Sequence, residues 1–109
     1  MRRGEIWIAA ASGAYTGKPR PVVIVQDDRF DATSSVTVCP LTTHKVEAPL
    51  IRLDVEPTAT TGVERPSQIM IDKVTTMPRA NVDARLGRLV DDDLVRLDRA
   101  LVVFLGLAD

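Results

Sequence analysis

Two polar clusters in this chain carry side chains that can do chemistry. Lys18 and Arg20 lead into one apolar run, and Thr42, Thr43 and His44 follow another. A planar guanidinium binds a phosphate through two hydrogen bonds, and it stabilises the extra charge of a pentacoordinate phosphoryl group. Alone, an arginine before a strand reads as a surface residue. Two features raise the binding reading of Arg20: Pro19 and Pro21 restrict the backbone on both sides, and Lys18 adds a second cation. Thr42 and Thr43 supply hydroxyls, weak acids and bases unaided, which after a strand usually make only a local backbone bond. His44, the only histidine, titrates near neutral pH and can act as base or acid; otherwise it is an exposed loop residue. Asp72 closes the run SQIMID as a strand-end carboxylate, and Ser67 and Gln68 read as strand surface.

The two apolar runs hold these clusters. Pro21–Gln26 and Ser35–Leu41 are rich in β-branched residues and read as strands. If they pair, their flanking groups converge at the end of a sheet, where functional residues commonly sit. Asp27, Asp28 and Arg29 read as a solvated connection. Further strands are expected at Glu5–Ala10, Leu50–Leu53, Ser67–Asp72 (with Lys73–Met77 continuing past a bend) and Arg85–Val90. One helix is expected over Asp91–Leu107, with Asp91 as N-cap and Asp92 and Asp93 at its positive end. Leu94, Leu97, Leu101, Phe104 and Leu105 fall on one stripe and are assigned to the core. Many short strands and one terminal helix make a single α+β domain over residues 1–109.

Composition bounds the chemistry. The net charge of −1 is not that of a general nucleic-acid binder, so attraction for an anionic polymer must come from a local patch. Residues 1–50 carry six Lys or Arg against five Asp or Glu, and residues 51–109 carry eight against ten, which weakly favours the N-terminal half as the anion-facing side. Cys39 is the single cysteine, within an apolar run, and reads as an inert buried thiol. With one Cys and one His there is no disulfide framework and no zinc spacing, and no phosphate-loop glycine motif or nucleophilic triad occurs. No metal or cofactor is expected. Glu5 interrupts a short apolar N-terminal run, which reads as a strand rather than a signal, and no run reaches membrane-spanning length. A cytoplasmic location without membrane association follows.

The N-terminal RRGEIW, a glycine-containing loop, RPVVIVQ and a strand ending P-L-T-T, in that order, resemble the MazF/PemK family. These are mRNA endoribonuclease toxins of type II toxin–antitoxin systems, and the likeness covers nearly the whole chain. It implies an SH3-like curled antiparallel barrel closed by a long C-terminal helix, as in MazF and CcdB. It implies metal-independent cleavage of single-stranded RNA by 2′-hydroxyl attack, leaving a cyclic phosphate. It implies a homodimer inhibited by a MazE-like antitoxin. Arg20 matches the family's catalytic arginine and Thr42 its catalytic threonine. Thr43 and Lys18 lie beside them, His44 stands where relatives often carry glutamine, and Asp72 aligns with an acidic position that acts in some members.

Two departures stand out. Met70 replaces an arginine of Kid-like members. The loop Gly13-Ala14-Tyr15-Thr16-Gly17 lacks the His or Glu found there in relatives. The general base is therefore left unassigned, and a different RNA preference is implied. Tyr15 either stacks on a base or packs on the barrel. Two other classes stay open: a CcdB-like gyrase poison, disfavoured by the absence of a C-terminal tryptophan, and an inactive SH3-like binding module.

Overall fold

The computed structural model describes residues 1–10 and 18–108. It has seven strands: β1 Glu5–Ala9, β2 Arg20–Ile24, β3 Ser35–Thr42, β4 Arg52–Val55, β5 Ser67–Met70, β6 Thr75–Pro78 and β7 Val82–Arg88. Helix α1 spans Asp91–Phe104. All pairings are antiparallel, in the order β4-β5-β3-β2-β1-β7, with β6 also on β3. The α+β class expected from the sequence is found.

Strand β3 organises the sheet. Its first half pairs with β6, from Ser35↔Pro78 to Val38↔Thr75, and its end pairs with β5 at Leu41↔Ile69 and Thr42↔Gln68. Lys73–Met77 therefore does not continue β5. Ile71–Lys73 turns the chain, held by the Ile71 N–H donating to Ile51 O at 2.9 Å, and β6 begins a separate ladder.

Alternation sends neighbouring residues of β1–β3 to opposite faces. Ile6, Val23, Cys39 and Leu41 pack with Ile69, Ile71 and the helix residues Leu97, Ala100 and Leu101. Ala9, Val22, Ile24, Val36 and Val38 form a second cluster with Val82, against which Trp7 and Met77 pack. Burial on both faces explains why β2 and β3 read as nearly unbroken apolar runs. Desolvation pushes the Cys39 thiol up to about 12, so the thiol is inert.

The sheet path ends at β4 and β7, which do not pair, so the ladder does not close into a barrel. The loop after β4 covers that gap. Arg88 N–H donates to Thr60 O at 2.9 Å, and Gly62 sits at φ +72°, where a Cβ would stand 2.2 Å from Leu86 O. Only glycine combines that backbone with so close an approach.

The helix differs from expectation at both ends. Val90, in extended backbone, is the N-cap; Asp91 is the first helical residue, and the three aspartates complement the dipole without a side-chain cap. The helix stops at Phe104. Leu107 N–H donates to Val102 O and Gly106 N–H to Val103 O, with Gly106 at φ +74°, a Schellman ending. Leu97 and Leu101 are buried and Leu94 packs on the core, but Phe104 (42%) and Leu105 (55%) are exposed. They fit the stripe's spacing but do not join the core cluster that covers Leu97 and Leu101. Among the described residues, no helix is long and apolar enough to cross a membrane.

Candidate active site

Strands β2 and β3 run antiparallel with Val22 opposite Pro40. Continuing that register by two residues sets Arg20 opposite Thr42. The entry of one strand and the exit of the other thus meet, as the flanking residues suggested. A depression of about 250 Å³ lies there, walled by Lys18, Arg20, Thr42 and Thr43, with Leu41 and the two prolines behind them. Lys18 is exposed; Arg20 and Thr42 are partly buried. Thr42 Oγ1 accepts from the His44 N–H at 3.1 Å, which leaves its own proton to donate. Both threonines wall the depression, because β3 ends at Thr42 and strict alternation does not extend to Thr43.

Ser67 completes the wall from β5. It is buried, and its Oγ donates to Arg65 O at 2.8 Å. Gln68, its neighbour, is also buried and acts as a clamp. Its Oε1 accepts from Val46 N–H at 3.0 Å, and its Nε2 donates to Val46 O and to Asp54 Oδ1, each at 3.1 Å. The connection bearing Thr43 and His44 is thereby tied to β5 and β4. Neither residue is the strand surface expected of it. No local pattern marks Gln68, whose main partner lies 22 residues upstream.

The remaining candidates are placed elsewhere. His44 is exposed and does not line the depression. Asp72 lies in the turn after β5, outside it. There Arg52 forks onto the carboxylate, Nε to Oδ1 at 3.1 Å and Nη2 to Oδ2 at 3.3 Å. That hydrogen bond, outweighing burial, holds Asp72 below the ordinary carboxylate range. Past the opposite end of β2, Asp27 and Arg29 are exposed as a solvated connection would be, whereas Asp28 is partly buried and accepts from Arg3 N–H at 2.6 Å. Ala14 and Tyr15 fall outside the described residues. Among the described residues, no group of three His, Cys, Asp or Glu side chains gathers to hold a metal ion.

The smaller depression adjoins a larger one of about 360 Å³, with Pro21, Thr43 and Ser67 common to both. The larger has an apolar floor of Ile8, Val63 and Leu86, and Glu64 and Arg65 on its wall. Together they make one groove across the end of the sheet.

Comparison with known proteins identifies the family. A family model described as PemK-like, MazF-like toxin of type II toxin–antitoxin system matches residues 2–105. The chain is 64% identical over 108 residues to a probable endoribonuclease MazF of Mycolicibacterium smegmatis, covering 99% of each chain. Among solved structures, Mycobacterium tuberculosis toxin MazF-mt6 superposes with a TM-score of 0.82 at 24% identity, covering 96% of this chain and 99% of that one. An endoribonuclease in complex with its cognate antitoxin, from a mycobacterial species, superposes at 0.83 with 21% identity, covering 100% and 98%. These two show the fold; the sequence matches show the kinship. The chain belongs to the PemK-like, MazF-like toxin family of type II toxin–antitoxin systems.

Proposed function

We propose that the chain, acting as one domain, is a sequence-specific endoribonuclease that cuts single-stranded RNA without a metal ion. The observation that carries this reading is the meeting of Arg20 with Thr42 in one depression, in a chain of this toxin family. Arg20 would grip the scissile phosphate and take up the charge that grows on its oxygens as the neighbouring 2′-hydroxyl attacks. The attack forms the 2′,3′-cyclic phosphate and breaks the bond to the 5′-oxygen, which leaves as a hydroxyl. Thr42 donates its proton to a phosphoryl oxygen, and Lys18 adds charge at the entrance. His44, the one histidine of the sequence, lies on the turn tied to Thr42 and is assigned to proton transfer. Asp72, engaged by Arg52, is given a structural part.

The curled sheet is read as an SH3-like barrel whose last gap is sealed by loop contacts such as Arg88 to Thr60. A homodimer is favoured by the apolar end of α1, where Val102, Val103, Phe104 and Leu105 are all exposed, with Val95 one turn and more behind. A MazE-like antitoxin is the expected inhibitor, since a structural relative is solved with its own cognate antitoxin. The cytoplasm, where mRNA and antitoxin meet, is the expected site of action.

Purified protein incubated with a long unstructured RNA in EDTA tests the activity. Fragments ending in a cyclic phosphate are expected. Cutting that appears only when magnesium is added would overturn the metal-free mechanism. Sedimentation at micromolar concentration tests the assembly, and an active, clean monomer would rule out the dimer.

A further inference from the structure

The larger half of the groove has no part in phosphate chemistry, yet it is built as a binding site. Its floor of Ile8, Val63 and Leu86 is apolar, and its volume of about 360 Å³ is that of a small-molecule pocket. Its outer wall is held in place. Thr61 is buried, and its Oγ1 donates to Glu56 O at 2.8 Å. A Cβ on Gly87 would stand 2.3 Å from Thr60 O, so the loop lies directly on the β7 backbone. The Ser67 Oγ bond to Arg65 O fixes the loop's far end. On this fixed loop the Glu64 and Arg65 side chains are exposed and face the pocket. Among the described residues, neither makes a side-chain hydrogen bond or ion pair.

We infer that this pocket is a nucleobase subsite in which Glu64 and Arg65 read an unpaired guanine beside the scissile phosphate; the inference rests on the endonuclease reading above. The two halves of the groove meet at Pro21, Thr43 and Ser67, so a phosphate held by Arg20 and Thr42 leaves its adjoining nucleoside at the pocket mouth. The apolar floor takes the face of a ring. The two free side chains set the edge chemistry: a carboxylate only accepts, and a guanidinium only donates. Guanine alone among the four bases offers a carboxylate two adjacent donors, N1–H and the N2 amino group. It also presents O6 and N7 as a pair of acceptors, to which arginine binds with two bonds. Adenine, cytosine and uracil each offer Glu64 one such donor. These edges are open only in a splayed single strand, which agrees with a single-stranded substrate. Lys18, Arg20 and Arg65 against Glu64 also make the groove locally cationic in a chain of net charge −1.

The test is cleavage of a random-sequence single-stranded RNA pool by the parent, Glu64→Gln and Arg65→Gln, with and without magnesium, followed by sequencing of the cut ends. Melting temperatures serve as the fold control. The parent should enrich guanine at one position flanking the cut. Glu64→Gln should lower that enrichment by about five- to a hundredfold, the worth of one bidentate base contact. Arg65→Gln should weaken the same position. A parent that cuts with no guanine enrichment there overturns the subsite and leaves the nuclease reading standing. So does a Glu64→Gln protein with an unaltered pattern, or one that loses activity on all sequences alike. A folded parent that cuts no RNA under either condition overturns the nuclease reading, and the subsite falls with it.

Discussion

Gln68 offers the sharpest test of how the site is held. It is 6% exposed, and its amide makes three hydrogen bonds, two to the Val46 backbone and one to Asp54. Gln68→Met keeps the side chain's length and removes all three. A buried hydrogen bond contributes a net of about 1 kcal/mol, but Val46 and Asp54 are exposed and regain water, so about 1–2 kcal/mol is expected in total. For a domain of this size that lowers Tm by about 4–8 °C. Gln68→Glu should cost more at neutral pH, because its carboxylate would face the Val46 carbonyl and the Asp54 carboxylate. Those neighbours raise its folded pKa above the unfolded value of about 4.3. A raised folded pKa gives stability that is present at low pH and lost as pH rises through the folded value. The deficit against the parent should therefore be small at pH 4 and largest at pH 7. Thermal melts at the two pH values, amide exchange at Val46 and RNA cleavage rates check this. The Val46 amide should exchange faster in both variants. Cleavage should slow by about ten- to a hundredfold through misplacement of the Thr43–His44 turn. A Glu variant as stable as the parent at pH 7, or an unchanged Val46 exchange rate in the Met variant, would refute the clamp.

Three further outcomes are expected. Arg20→Ala should keep its fold and lose about 10²–10³ in cleavage rate, and lysine should not restore it, since a point charge lacks the fork; single-turnover rates decide. Thr42→Ala should cut more slowly than Thr43→Ala, because register sets Thr42 opposite Arg20 whereas Thr43 is exposed at the junction of the two depressions; equal losses would show that both hydroxyls bind the phosphate. The Arg52 bond holds Asp72 below its ordinary value of 3.8, so the stability it contributes is present above that value and lost as pH falls through the folded one. Arg52→Gln should flatten this acid limb, and a denaturant titration from pH 5 to pH 2 that runs parallel to the parent would count against the pair.

What could be read in the sequence was what local periodicity controls. The apolar runs at Pro21–Gln26 and Ser35–Leu41 declared strands, and antiparallel pairing then brings Arg20 to Thr42. The helix stripe declared itself through Leu97 and Leu101. What escaped was set by contacts distant in sequence. Periodicity says that Thr75–Met77 is extended, but not that a turn at Ile71 sends it to the first half of β3. It places Asp72 at a strand end, but gives no sign that Arg52, twenty residues earlier, occupies the carboxylate. It makes Gln68 a polar residue among apolar ones, which reads as surface unless Val46 is known to lie against it. Phe104 and Leu105 keep the right angular spacing yet stand outside the core cluster, so spacing alone overstates the core. The groove follows the same division. The half that holds Arg20 and Thr42 comes from two strands that pair, and their meeting was legible. Its other half needs the Thr60–Arg65 loop to settle on β7, a contact made possible by Gly62 lying against the Leu86 backbone and Gly87 against Thr60 and Thr61, approaches that exist only in the folded chain. Substitution of Gly62 or Gly87 should therefore disturb the outer wall before it disturbs the Arg20–Thr42 pair, because β2 and β3 hold their register without that loop.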